Sequence, residues 1–273
     1  MAGTLYLVGT PIGNLRDTSD RARETLASVD LVAAEDTRRT GKLLAHFGID
    51  ARMVSFFEGN DPARSEELVA ELRAGKSVAV VSDAGMPGVS DPGYRIVRAC
   101  IDAGIDVRVV PGPSSAVAAL VVSGLPSDRF SFEGFPPRRK GERLARMDEL
   151  ASDPRTLVFF ESPKRVRATL LEIVETLGDR RVALVRELTK LHEEVLRGKA
   201  ADVAERIGDR DLKGEVVLVV EGAGEPEPDL DGAVEEAAAL VKKGMRKREA
   251  ASAAARKHAV AANAVYGRLL APD

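Results

Sequence analysis

The chain has 273 residues, of which 44% are hydrophobic and 30% are charged, and its formal net charge is −3. This length accommodates two ordinary domains, and the composition is that of a soluble globular protein and excludes a disordered one. The net charge excludes a protein coated with basic residues, so any contact with nucleic acid must come from local patches.

Cysteine and histidine are too sparse for a disulfide framework or a metal centre. Cys100 is the only cysteine, which excludes an intramolecular disulfide and a cysteine-rich zinc site. The three histidines are scattered along the chain, so we expect no bound metal. No apolar run reaches the length of a membrane span, and the N-terminus lacks a signal-peptide pattern, so we expect a cytoplasmic protein with no membrane contact.

Apolar runs alternate with helical patterns over the first part of the chain. Strands are predicted at 5–8, 31–34, 53–57, 78–81 and 107–110. Helices are predicted between them, including one at 41–47 for which Thr37 is the predicted cap. This alternation predicts a mainly parallel sheet with helices on both faces. We therefore assign residues 1–115 to an N-terminal α/β domain.

The pattern changes after the small apolar helix predicted at 116–123. Further strands are predicted at 130–135, 156–161, 181–186, 193–197 and 215–220, with helices among them. We assign residues 116–224 to a second α/β domain whose sheet mixes strand directions. The acidic, proline-containing segment 225–229 is predicted to be a stiff linker, and residues 229–273 a helix-turn-helix-like extension of three short helices.

Three of the predicted strands end in loops rich in glycine and proline, at 8–15, 81–93 and 110–116. Glycine permits positive φ and proline fixes φ, so such loops are rigid and expose their backbone. In open α/β sheets, ligands bind outside the carboxyl ends of the strands. The three loops therefore predict one binding crevice. Neither a dinucleotide fingerprint nor a P-loop occurs in the chain.

Several short segments occur in a characteristic order along the chain. They are Gly9–Leu15, Ala34–Arg38, Val81–Gly85, Ser90–Gly93, Pro111–Ser114, Ser123–Pro126, Phe160–Pro163 and Arg186–Lys190. This series resembles the tetrapyrrole methylase superfamily and, within it, the small-subunit ribosomal RNA methyltransferase I family. The resemblance spans about Thr4 to Gly222, and the helical extension resembles the C-terminal extension of that family. Members of the family use S-adenosylmethionine (SAM) to 2′-O-methylate a cytidine in the decoding centre of 16S rRNA.

The resemblance implies two α/β domains of the tetrapyrrole methylase type with SAM in the cleft between them, and a homodimer. Carried over by position, the implied SAM contacts are Thr10, Pro11, Ser82, Asp83, Ala84, Gly85, Met86, Asp91, Ser114, Ser115, Ala116, Glu161 and Leu188. Met86 departs from the threonine that is common in the family, and we expect it to form part of the adenine pocket.

A ribose 2′-hydroxyl is a poor nucleophile, so a base should take its proton while the methyl group is transferred in line. The candidate bases are the carboxylates at predicted strand ends, namely Glu35, Asp36, Asp83, Glu161 and Glu187. These types of residue also cap helices and form structural ion pairs, so the residues alone leave the choice among the five open.

Basic residues in two regions are the candidates for contact with 16S rRNA in the small ribosomal subunit. Arg138, Arg139 and Lys140 form one basic loop, and Lys190 or Arg186 could hold a phosphate near the cleft. The C-terminal extension contributes a second group, consisting of Lys242, Lys243, Arg246, Lys247 and Arg248. A solvated surface is the alternative role for each group.

Two other functions stay open. Methylation of a porphyrinoid such as a corrin or uroporphyrinogen is the first, and the basic loop and basic extension disfavour it. A non-catalytic RNA-binding protein is the second, and the intact Gly/Pro loops disfavour it.

Overall fold

The computed structural model describes residues 2–224 and 229–270, so the predicted linker lies outside the described residues except for Asp229. The strands are β1 Thr4–Val8, β2 Leu31–Ala34, β3 Met53–Ser55, β4 Val78–Val81, β5 Asp106–Val110, β6 Phe130–Gly134, β7 Thr156–Glu161, β8 Arg181–Arg186, β9 Glu194–Lys199 and β10 Val216–Val220. The helices are α1 Asp20–Ser28, α2 Thr37–His46, α3 Asp61–Arg73, α4 Tyr94–Asp102, α5 Ser115–Ser123, α6 Lys140–Leu150, α7 Val166–Leu177, α8 Ala200–Ile207, α9 Leu230–Lys242, α10 Lys247–Lys257 and α11 Ala262–Leu270.

The first sheet is parallel throughout, with the strand order β3-β2-β4-β1-β5. All four residues of β4 are buried, as expected for a strand covered by helices on both faces. Because the strands are parallel, their carboxyl ends lie at one edge. The loops after the neighbouring strands β4, β1 and β5 therefore emerge side by side.

The second sheet mixes strand directions, with the order β6-β7-β10-β8-β9. β6 and β7 are parallel, whereas β10 is antiparallel to both of its neighbours, β7 and β8. Helix α5 packs on this sheet through Ala116, Ala119 and Leu120, which share a core cluster with sheet residues Val158 and Val217. These two sheets confirm the predicted α/β fold class.

Several predicted boundaries are wrong, and at two of them local side-chain hydrogen bonds set the observed one. Helix α2 begins at Thr37, four residues earlier than predicted, and its cap is Asp36, whose side chain accepts the Arg38 N–H at 2.9 Å. Strand β3 ends at Ser55 because the N–H of Phe57 donates to the side chain of Asn60 at 2.8 Å and turns the chain.

The C-terminal helices α9, α10 and α11 have a small core of their own, in which alanine predominates among the buried residues. The buried residues are Ala233, Ala237, Ala250, Ala251, Ala254, Ala255 and Val265, and larger apolar side chains pack around them partly buried. Small side chains allow these short helices to pack closely, and the packing supplies the stability that such short helices lack alone. In the described ranges, no helix is both long and apolar enough to cross a bilayer.

Candidate functional site

The loops after β1 and β4 are joined by backbone hydrogen bonds. The N–H of Thr10 donates to the Gly85 carbonyl at 2.9 Å, and the N–H of Gly85 donates to the Thr10 carbonyl at 3.1 Å. The buried Thr10 hydroxyl also donates to the Ser82 carbonyl at 3.0 Å. These bonds hold the two loops in one fixed arrangement at the edge of the sheet.

The loop after β5 joins them through an approach that only glycine permits. A Cβ atom on Gly9 would lie 2.6 Å from the Cα of Gly112 and 2.7 Å from the sulfur of Met86. The Met86 sulfur accepts the N–H of Gly112 at 3.3 Å. The three loops therefore meet, as their sequence pattern predicts, and Met86 takes part in holding them together.

A cavity of about 340 Å³, called the main cavity below, lies between these loops and the second sheet. Its volume is within the range of sites that hold small molecules and cofactors. The first-sheet loops contribute Ile12, Ala84, Gly85, Met86, Val89, Ser90, Asp91, Ser114 and Ser115. The second sheet and its loops contribute Phe135, Phe160, Glu161, Ser162, Pro163, Gly214, Glu215, Val216 and Val217.

A second cavity of about 250 Å³, called the side cavity below, adjoins the same loops. It is lined by Thr10, Pro11, Gly13, Leu15, Arg39, Thr40, Lys42, Leu43, Ser82 and Asp83. Four of the implied SAM contacts, Thr10, Pro11, Ser82 and Asp83, therefore face the side cavity. Ala116 and Leu188 line neither cavity, because their side chains are buried in the core between the loops and the second sheet.

Among the candidate bases, Glu161 and Glu187 are held by partners. Glu161 is 2% exposed, accepts the Thr169 hydroxyl at 2.7 Å, and pairs with Arg165 at 2.6 Å. Glu187 pairs with Lys190 at 2.9 Å, which lowers the pKa of Glu187. The pair with Lys190 therefore favours the anionic form of Glu187, and the carboxylate of Glu161 is already occupied by its two partners.

The other three candidate bases form a connected group at the ends of β2 and β4. Glu35 accepts the N–H of Asp83 at 3.1 Å, and Asp83 accepts the N–H of Asp36 at 3.1 Å. Asp83 also pairs with Arg39 at 3.2 Å. Hydrogen bonds from Arg38 lower the pKa of Asp36 to about 2, so Asp36 is a weak base.

Asp91 differs from these carboxylates in its environment. Burial raises the pKa of Asp91 to about 6, the negative charges of Glu35 and Asp83 add to this shift, and the Ser82 hydroxyl opposes it. Asp91 lines the main cavity and forms no ion pair among residues 2–224 and 229–270. A carboxyl group with a strongly raised pKa in a cleft is typical of a functional site.

Several of the predicted RNA-binding residues near the second sheet are paired with carboxylates. Lys190 pairs with Glu187 and with Glu215, at 2.9 and 3.2 Å, and Arg186 pairs with Glu194 at 3.1 Å. Arg139 pairs with Glu142 at 3.1 Å on the surface. These charges are partly neutralised within the protein.

Arg143 holds the basic loop of residues 138–140 in place. Arg143 donates to the carbonyls of Pro137 and Arg138, both at 3.0 Å, and forms a buried bidentate pair with Glu172. In the C-terminal helices, the basic residues of the α9–α10 junction are all exposed; they are Lys242, Lys243, Arg246, Lys247 and Arg248. The protein thus displays two separate basic surfaces.

Two features of the cavities were not predicted from the sequence. Residues 214–217 line the main cavity, and basic residues line the side cavity. Residues 214–217 comprise the two residues before β10 and its first two residues, and they reach the cavity because β10 runs antiparallel to β7, so its start lies beside the end of β7. Arg39 was missed because helix α2 was predicted to begin at residue 41, and the Asp36 cap was the signal that could have revealed it. Lys42 lay within the predicted helix, but no local pattern indicated that it lines a cavity.

Comparison with known proteins identifies the family. A profile of the Tetrapyrrole (Corrin/Porphyrin) Methylases matches residues 4–204. The chain belongs to this family. Its members are SAM-dependent methyltransferases, and this chain is one of them. Within the described residues, no group of three side chains suited to metal binding is present.

Two relatives of this methylase carry the name "Ribosomal RNA small subunit methyltransferase I". The protein from Escherichia coli O157:H7 is 45% identical over 267 residues, which is 97% of this chain and 93% of the relative. The protein from Thermotoga maritima is 48% identical over 220 residues, covering 81% of this chain and 99% of the relative. Roughly a fifth of this chain therefore has no counterpart in the Thermotoga protein.

Solved structures of other methylases share the fold. The methyltransferase CobJ superposes with a TM-score of 0.61 at 19% identity, over 82% of this chain and 95% of its own. The uroporphyrin-III-C-methyltransferase from Thermus thermophilus gives a TM-score of 0.55 at 24% identity, over 80% of this chain and 94% of its own. At these identities the likeness establishes the fold alone.

Proposed function

We propose that the protein uses SAM to methylate the ribose 2′-hydroxyl of a cytidine in the 16S rRNA of the small ribosomal subunit. One observation carries this proposal: over 97% of its length the chain is 45% identical to a relative named for methylation of small-subunit ribosomal RNA. The geometry of the main cavity supports it, because the cavity combines a cofactor-sized space with a carboxylate suited to accept a proton.

The main cavity has the chemical groups that SAM requires. Ile12, Met86 and Phe160 supply apolar surface for the adenine, and the backbone of Ala84 and Gly85 is available for hydrogen bonds. Ser114 and Ser115 lie at the start of helix α5, whose first N–H groups are suited to a carboxylate such as that of the methionine part. Bound SAM supplies a methyl group on a positively charged sulfur.

We assign the base to Asp91 rather than to the five carboxylates predicted from the sequence. Glu161, Glu187, Asp36 and Asp83 are each paired with a basic side chain, and Glu35 accepts the N–H of Asp83. A base works best when its pKa is near the working pH, and burial brings Asp91 towards this range. With SAM bound, a carboxylate oxygen of Asp91 would accept the 2′-hydroxyl proton as the ribose oxygen gains the methyl group, and the methyl C–S bond of SAM would break to leave the neutral thioether.

The two basic surfaces are proposed to bind the phosphate backbone of the rRNA. The loop of residues 138–140 is held in place by Arg143, and the α9–α10 junction exposes five basic side chains. We also propose unit boundaries near residue 115 and at the linker, so that residues 229–273 form an RNA-docking extension that the catalytic fold does not require. The Thermotoga relative supports this, since roughly a fifth of this chain has no counterpart in it.

We also propose that the protein forms a homodimer and is located in the cytoplasm. Val109 on the edge strand β5 and the pair Val117 and Val121 on α5 are exposed apolar residues, and a second copy of the chain would cover them. Val117 and Val121 are four residues apart and lie on one face of the helix. Small ribosomal subunits, the proposed substrates, are cytoplasmic particles.

Methylation assays with tritiated SAM test this function and separate it from the porphyrinoid alternative. The protein should label assembled 30S subunits, and the same preparation should leave uroporphyrinogen unlabelled. Naked 16S rRNA shows whether the subunit proteins are needed. Labelling of uroporphyrinogen in preference to both RNA substrates, or binding of RNA with no labelling of any substrate, would contradict the proposal.

A further inference from the structure

The side cavity has two basic residues on one wall. Because Asp36 caps helix α2 at its start, Arg39 and Lys42 fall three residues apart on the same face, and both line the cavity. Arg38, on the neighbouring face, pairs instead with Asp36 and is 87% exposed. The helix therefore directs two of its three basic residues in this stretch into the cavity.

The rest of the side cavity is lined by both apolar and polar residues. Pro11, Leu15 and Leu43 give it an apolar side, and Thr10 and Ser82 line it from the Gly/Pro loops. Its volume of about 250 Å³ is smaller than the usual range for a site that encloses a complete small molecule. A site of this size and chemistry suits one unit of a polymer whose remainder lies outside.

The side cavity and the main cavity lie on two sides of the same pair of loops. In the first loop, Thr10 faces the side cavity and Ile12 faces the main cavity. In the second loop, Asp83 faces the side cavity and Ala84 faces the main cavity. A polymer held in the side cavity would therefore lie next to bound cofactor.

Lys42 and Arg39 differ in their present partners. Lys42 forms no ion pair in residues 2–224 and 229–270, so its ammonium group is available to a ligand. Arg39 pairs with Asp83 at 3.2 Å and is 65% exposed, so the pair is open to solvent and an anionic ligand can compete for the guanidinium. Both groups suit a phosphate, Lys42 as a point charge and Arg39 as a planar fork.

We propose that the side cavity binds a phosphodiester group of the RNA next to the nucleotide that is methylated, with Lys42 and Arg39 as its ligands. This inference rests on the proposed function and adds a substrate site to it.

The test uses the full-length variants Lys42→Ala and Arg39→Ala, with Arg38→Ala as the matched control on the same helix. Binding of 30S subunits is measured over a range of salt concentrations, together with methylation rates and SAM affinity. Each cavity variant should lower the slope of log affinity against log salt by up to about one, because the two residues share a single phosphate. Both should raise KM for the subunit and leave SAM affinity unchanged, and Arg38→Ala should match the wild type.

Two results would overturn the inference, and they differ from failure of the proposed function. Unchanged salt slopes and KM values in both cavity variants would show that the cavity binds no phosphate. Loss of SAM affinity in either variant would assign the cavity to the cofactor instead. The proposed function itself fails only if the wild-type protein, assayed in parallel, does not methylate the subunits, and the inference would fail with it.

Discussion

The two sides of the main cavity are built in different ways. The side formed by the first-sheet loops is fixed by backbone contacts, namely the hydrogen bonds between Thr10 and Gly85 and the close approach of Gly9 to Gly112. The side formed by the second sheet includes a buried ion pair, in which the carboxylate of Glu161 is satisfied by Arg165 and Thr169.

Because of this difference, we expect changes on the two sides of the cavity to affect different properties of the protein, ligand binding on one side and stability on the other. Changes in the first-sheet loops should act on SAM affinity and on catalysis, because these loops present the groups that contact the ligand. Changes to the ion pairs of the second sheet should act mainly on the free energy of unfolding, because those charges are satisfied within the protein. The predictions below test this separation, from the largest expected effect to the smallest.

Gly9→Ala should have the largest effect on SAM binding. The new Cβ would lie 2.6 Å from the backbone of Gly112, so the loops after β1 and β5 must separate. We expect about a 100-fold loss of SAM affinity by calorimetry, since a displacement of about 1 Å can have an effect of this size. Gly141→Ala is the control, because a Cβ there meets nothing within 4 Å. Wild-type affinity in Gly9→Ala would refute the loop arrangement.

Loss of SAM affinity in an unfolded variant would say nothing about the arrangement of the loops. The fold of Gly9→Ala is therefore checked by circular dichroism alongside the calorimetry. If Gly9→Ala is unfolded, Gly85→Ala replaces it. There the new Cβ meets Ile12 and Pro113 at an ordinary 3.5 Å, and the strain comes from φ +84°. A folded Gly85→Ala protein with unchanged SAM affinity would then count against the account.

Asp91→Asn should lower kcat by about 100-fold or more, because a general base contributes at least this much. SAM affinity should change little, which separates a base from a cofactor ligand. In the wild type, kcat should rise with pH through about 6 and then level off, since Asp91 must be deprotonated. Loss of SAM binding with an unchanged pH profile would assign Asp91 to the cofactor instead.

In Asp91→Asn the thermal stability should increase although kcat falls. Because burial raises the pKa of Asp91 to about 6 from its ordinary value of 3.8, the folded state binds this proton more tightly than the unfolded state. The stabilisation is therefore complete below about pH 4 and is lost as the pH rises through 6. Asp91→Asn should raise Tm at pH 7 and leave it unchanged near pH 4. A lower Tm at pH 7 would contradict the assigned environment.

Glu161→Gln should mainly destabilise the protein, by about 1–3 kcal/mol in denaturant unfolding, because the buried Glu161 loses its ion pair with Arg165. SAM affinity and kcat of the folded variant should stay within a few-fold of the wild type. Glu142→Gln is the control, since Glu142 pairs with Arg139 on the surface. A large fall in kcat without destabilisation would restore Glu161 as a candidate base.

Local patterns in the sequence were enough to predict most elements and the meeting of the three loops. The alternation of apolar runs and helices predicted β1, β4 and β5, and the glycines and prolines after them marked the binding edge. The opposite side of the cavity was harder to predict. The start of β10 reaches it only because that strand inserts antiparallel between β7 and β8, a long-range pairing that no local pattern encodes.

The roles of individual carboxylates also depended on contacts that the sequence does not show. Asp91 lies within a predicted loop, but its raised pKa depends on burial and on the charges of Glu35 and Asp83. The side cavity was missed for a different reason. Arg39 belongs to helix α2 only because the helix begins at Thr37, four residues earlier than predicted, and Lys42 was within the predicted helix but nothing local showed which way it faces.

Changes to the basic loop of residues 138–140 should weaken RNA binding and leave SAM binding unchanged. Replacing Arg138, Arg139 and Lys140 together with alanine should lower the salt slope of 30S binding by up to about three, one for each lost phosphate contact. Calorimetry should give wild-type SAM affinity, since none of the three residues lines the main cavity. An unchanged salt slope would mean that the loop is only solvated.

Ending the chain after Gly224 should have the smallest effect on the cofactor site. The C-terminal helices have their own alanine core, and none of their described residues lines the main cavity. The shortened protein should stay folded and bind SAM as the wild type does, but methylate 30S subunits more slowly. Loss of SAM binding would make the helices part of the catalytic fold, and full activity would remove their role in docking.

The identity of the methylated nucleoside tests the central claim most directly. Unmethylated 30S subunits are incubated with the protein and labelled SAM, and the 16S rRNA is then digested to nucleosides and separated by chromatography. The account predicts label in 2′-O-methylcytidine, and in the Asp91→Asn variant a rate reduced about 100-fold or more. Label in a base-methylated nucleoside, or no label in 16S rRNA at all, would contradict it.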